Sequence, residues 1–141
     1  MVYIVYQNPN TDSIEFCFPV IDNIQHIIDK SIPKDADGNT VPHKVYDSIS
    51  LKYFESYDFA DNDMQQNRGK LHEIKKAEWR RLRTPLLQKY DVLFMKALEQ
   101  SDSDEIARIK DIKQQLRDVT AIDVSELTNA ELETFKPSIL L

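Results

Sequence analysis

At 141 residues the chain has the length of one domain with one compact core, and its 41% hydrophobic and 30% charged residues suit a folded protein with a large solvated surface. Its 18 lysines and arginines against 24 acids leave a net charge of −6, which disfavours whole-molecule attraction to nucleic acid or an anionic membrane. The single cysteine, Cys17, excludes an internal disulfide and fits a reducing compartment, and two glycines are too few for a glycine-rich phosphate cradle.

No basic region or long apolar stretch surrounds the short apolar run at residues 2–6, so no secretory signal is expected, and no segment reaches the roughly 20 apolar residues that cross a bilayer. A membrane role is therefore not expected. Residues 2–6 and 14–18 are β-branched and aromatic on either side of a polar, turn-rich link, which predicts a hairpin that Pro19 ends. Asp22 or Asn23 is placed to cap a short helix through Lys30, with Ile24, Ile27 and Ile28 on one face and Pro33 closing it. A polar loop at 34–40 and a short third strand at 44–47 follow. Between 50 and 67, Tyr53, Phe54, Tyr57 and Phe59 interleave with acids, predicting a short helix and an irregular connector.

The next boundary is expected near residues 64–67, separating a small α+β region, 1–66, from a helical region, 67–141. Trp79, Leu82, Leu86, Tyr90, Leu93 and Ala97 recur at steps of three or four, the mark of one apolar helix face that Leu71 and Ile74 extend backward. Pro85 lies inside this pattern and is expected to kink or split the helix. The link at 100–103 carries capping residues. Beyond it Ile106, Ile109, Ile112, Leu116 and Val119 describe a second helix, antiparallel to the first because the link is short. Thr128 and Glu131 have capping-box spacing for a last short helix that stops before Pro137. The expected fold is α+β: a small antiparallel sheet with a short helix, then a long helix in an antiparallel helical hairpin.

Candidate chemistry is sparse. Asp35, Asp37 and Asn39 alternate like calcium ligands, but Gly38 falls before Asn39 and Tyr46 occupies the position of the bidentate glutamate, so an ordinary turn is expected. His26, His43 and His72 lack the close second ligand of a metal site, and Cys17, between Phe16 and Phe18, reads as a buried inert thiol. Nothing in the pattern specifies a cofactor, a metal or an enzymatic activity.

The sharpest electrostatic feature is 68–89, with eight basic residues against two acidic ones in an otherwise acidic chain. Nucleic-acid phosphates are one reading. Pairing with the chain's own acids or with an acidic protein is preferred, because no DNA- or RNA-reading motif surrounds the stretch. Asp91 lies at the edge of the apolar face one turn after Leu87, and folding back at 101–102 brings Lys113 or Arg117 within reach, which predicts a structural ion pair.

The pattern Arg80-Arg81-Leu82-Arg83-Thr84-Pro85-Leu86-Leu87, then Asp91, then residues 95–99, then Lys113-Gln114-Gln115-Leu116-Arg117-Asp118, resembles a family of small tail assembly, tail-fibre assembly or tail-chaperone-like proteins of tailed bacteriophages and prophages. The likeness is loose over most of the chain and closest over 80–118. Residues 113–115 depart from the commoner ending, in which a tyrosine-arginine pair precedes the leucine-arginine-aspartate element. The resemblance implies a non-enzymatic accessory protein that binds a phage tail or tail-fibre protein in the host cytoplasm during assembly. A permanent virion subunit is the alternative it also allows, a nucleic-acid-binding accessory through 68–89 comes third, and homo-oligomerisation stays open. Aromatic and arginine side chains dominate many interfaces, which singles out Tyr53, Tyr57, Trp79, Arg80 and Arg83 as contact candidates, core packing being an equal reading for Trp79.

Overall fold

A computed structural model describes residues 2–18 and 24–141, without the side chain of His26. The candidate caps Asp22 and Asn23, the strand-ending Pro19 and the packing of His26 fall outside that description. The fold is α+β, as the sequence predicts, with a small antiparallel sheet followed by a long helix and two further helices. Its contacts group into two compact units, 1–71 and 72–141.

In the first unit, strand β1 (Tyr3–Gln7) lies between β2 (Ile14–Cys17) and β3 (His43–Tyr46), antiparallel to both. The register pairs Val5 with Phe16 on one side and with Lys44 on the other. Because side chains alternate across a strand, β1 serves two cores. Ile4 and Tyr6 face Ile28, Ile32 and Val41, the first two from helix α1 (Ile24–Ser31) and the turn after it. Val5 faces Ile14, Phe54 and Phe59. The 34–40 loop is a turn, with Gly38 at φ +80° and the Asp35 carboxylate accepting the amides of Asp37 and Asn39 at 2.9 and 3.0 Å.

Residues 50–67 depart from expectation. Only the turn Phe54–Ser56 is helical, as one 3₁₀ turn, and the rest is a second hairpin, β4 (Tyr57–Ala60) with β5 (Asp63–Gln66). Asp61 and Asn62 make the two-residue loop with φ of 53° and 60°, the geometry whose twist matches the flanking strands. Gln7 reaches across from the sheet, its Oε1 accepting the Phe59 amide at 2.7 Å.

Helix α2 (Arg68–Glu99) starts where Asn67 Oδ1 accepts the Lys70 amide at 3.1 Å, and it runs unbroken through Pro85. Of the two outcomes expected at Pro85, the split does not occur. Proline removes the amide that the Arg81 carbonyl would accept, a loss confined to one helical bond on an exposed face. The helix ends in a Schellman arrangement: Ser101 sits at φ 52°, its amide donates to the Leu98 carbonyl, and the Asp102 amide donates to that of Ala97, both at 3.1 Å. Asp102 then caps α3 (Ser103–Arg117) by accepting the Glu105 amide at 3.1 Å.

The second unit closes on α4 (Asn129–Thr134), whose start carries the complete Thr128–Glu131 capping box. Its core includes Trp79, Ala97, Ile109, Leu116, Val119, Val124, Leu132 and Leu140. Among the described residues no helix is long and apolar enough to cross a membrane.

Candidate interaction surface

The buried side of α2 within the second unit runs through Lys75, Trp79 and Ala97, with Arg83, Leu86, Tyr90 and Leu93 half-buried between them. Helical spacing puts Val92 and Met95 on the opposite side, and they are 57% and 58% exposed. Leu98, three residues further on, is 45% exposed, and Pro85 and Gln88 continue the outward face toward the N-terminus. Scattered exposed apolar residues are ordinary; neighbours at helical spacing make a continuous patch.

The contact candidates read from the sequence divide sharply. Trp79 is 1% exposed and packs edge-on against Phe135, with ring centroids 5.8 Å apart, so it belongs to the core and is withdrawn as a partner contact. Arg83 is committed inside the unit, its guanidinium donating to the carbonyls of Leu116 and Arg117 at 3.4 and 2.8 Å. There it satisfies acceptors left open at the end of α3. Tyr53 is half-buried under the Lys52 ammonium, 5.2 Å from its ring, and Tyr57 is half-buried against the core of Val5 and Phe59. Arg80 alone of the five is exposed.

Asp91 takes Lys113 as its partner, Nζ to Oδ1 at 2.6 Å, while Arg117 supplies a backbone acceptor to Arg83. The buried member is the lysine. Its side chain is 16% exposed against 60% for Asp91, so the desolvated charge expected of Asp91 resides on Lys113. The basic stretch 68–89 is likewise largely occupied. Lys70 pairs with Asp58 and Lys76 with Glu73. Lys75, 5% exposed and not singled out by the sequence, pairs with Glu78 at 3.2 Å and donates to the Glu133 carbonyl at 3.0 Å. Arg80, Arg81 and Lys89 are left on the exposed surface.

Two of the recesses among the described residues differ in chemistry. The first, of about 590 Å³, is lined by residues 11–15, Glu55 and Lys70, and the Lys70 ammonium is turned toward Asp58. The second, of about 370 Å³, is lined by Phe94, Lys110, Lys113, Gln114 and Arg117. In it Lys113 Nζ lies 5.1 Å from the centre of the Phe94 ring, a cation–π distance. The sequence analysis missed this cationic cleft. Its signal was present in the spacing of Lys110, Lys113 and Arg117, which share one side of α3 at helical intervals.

The Cys17 thiol is half-buried rather than buried, and burial pushes its pKa up, which suppresses the reactive thiolate. Among the described residues, no group of three or more His, Cys, Asp or Glu is placed to hold a metal ion. The described surface carries an apolar helix face and a cationic cleft. No family model matches the chain, and neither the search of curated proteins nor that of solved structures found a match.

Proposed function

We propose that this is a non-enzymatic binding protein of phage tail or tail-fibre assembly, working in the host cytoplasm and docking on a tail protein through the outward face of α2. The observation that carries the docking surface is the exposed pair Val92 and Met95, on a helix whose opposite side is buried or half-buried in its own unit. The phage context comes from the resemblance of residues 80–118. Apolar side chains held out on a rigid helix suit capture of a partner surface, since docking removes them from water without reordering the backbone.

Co-expression with the tail-fibre polypeptide of the encoding phage tests the reading. The wild-type chain should increase the yield of soluble, assembled fibre, and the Val92→Ser/Met95→Ser variant should lose that effect. No increase with the wild type, or full activity of the variant, would reject this role. Mass spectrometry of purified virions adds a second decision: an assembly factor should be absent, whereas fixed copy number would make the chain a permanent virion subunit.

A further inference from the structure

We infer that the cleft beside Phe94 receives an acidic amphipathic helix of the partner, with two carboxylates about two turns apart and an apolar side chain between them. This rests on the reading of the chain as a binding protein and names the chemistry of what it binds. Lys110 and Arg117 are both exposed and lie on one side of α3, seven residues apart, a separation of roughly 10.5 Å along the axis. A helix laid alongside presents residues seven apart at the same interval and on the same face, so one carboxylate meets Lys110 while the other meets Arg117. Between the two cations the recess offers the Phe94 ring and a volume of about 370 Å³, room for an apolar side chain.

Lys113 sits in the middle of the cleft but is already neutralised by Asp91 at 2.6 Å. The available cations are therefore the outer two, with the Phe94 ring beside the paired Lys113 between them. That order selects against a compact phosphate or a nucleic-acid strand, whose charge would fall on the ring and beside the exposed Asp91 carboxylate. Leu98, one turn beyond Phe94 on the same side of α2 and 45% exposed, lengthens the apolar track.

The test is an anisotropy titration with a labelled helical peptide of roughly 15 residues, carrying glutamates seven positions apart with leucine midway. The wild-type chain should bind saturably, and Lys110→Ala/Arg117→Ala should weaken binding about tenfold or more. Arg81→Ala, an exposed charge off the cleft, should leave it unchanged. Circular dichroism of each variant confirms the fold. Absence of saturable binding, an unaffected double variant, or stronger competition by tripolyphosphate or single-stranded DNA than by unlabelled peptide would overturn the inference. If the cleft fails while Val92→Ser/Met95→Ser still abolishes fibre rescue, the proposed function survives without it; if rescue is absent as well, both fall.

Discussion

Lys75 shows how far the environment of a side chain can depart from its sequence context. Counted among eight cations of a basic stretch, it is 5% exposed, with its ammonium held by the Glu133 carbonyl and the Glu78 carboxylate. Replacing it by methionine keeps the stem and strands the carbonyl, so Lys75→Met should lower stability by about 1–3 kcal/mol in urea denaturation. Asp58 is the acid whose protonation matters at the start of α2. The Lys70 ammonium, then the Asn67 amide, hold its carboxyl below the usual carboxylate range. A depressed folded pKa contributes stability that is present above the unfolded value and is lost as pH falls through the folded one. Urea midpoints measured from roughly pH 6 downward should therefore fall less steeply for Asp58→Asn than for the wild type. The Lys75–Glu78 pair is local, three residues apart on one helix, whereas the Glu133 carbonyl and the partners of Asp58 are brought in by the fold.

Elements whose ends are written by neighbouring residues were legible. The Thr128–Glu131 capping box, the turn at Gly38, the Asp102 cap and the first hairpin all form from residues a few positions apart. The β4–β5 hairpin was not read because its loop, Asp61-Asn62, reaches two positive φ angles without the glycine that usually signals such a turn. Aromatic spacing at 53–59 matched neither period cleanly, so a strand was taken for a connector. At Pro85 the helix continues, because the proline removes a single backbone bond on an exposed face. Pro85→Ala restores the donor to the Arg81 carbonyl and should stabilise the chain by about 1–3 kcal/mol, read from thermal melts by circular dichroism. Ser101 is a second strained position, left-handed at the C-terminus of α2, and Ser101→Gly should add roughly 0.5–1 kcal/mol in the same assay.

Along α2 a buried side and an exposed apolar side face away from each other, and the proposed docking uses only the second. Trp79 and Ala97 face the core of the second unit, whereas Val92 and Met95 face away from it. Val92→Ser/Met95→Ser should therefore leave the unfolding free energy within about 0.5 kcal/mol of wild type while removing fibre rescue, a separation that a merely structural helix would not produce. The cations of the cleft are legible as helical spacing on α3, but the cleft itself needs Phe94 of one helix beside the polar side of the next. The burial of Trp79 has one more consequence. It is the sole tryptophan and lies in the unit 72–141, while five of the six tyrosines lie in 1–71. Red-edge excitation of the indole during denaturation thus isolates the loosening of one core without any introduced label, while phenol absorbance is weighted five to one toward the other unit.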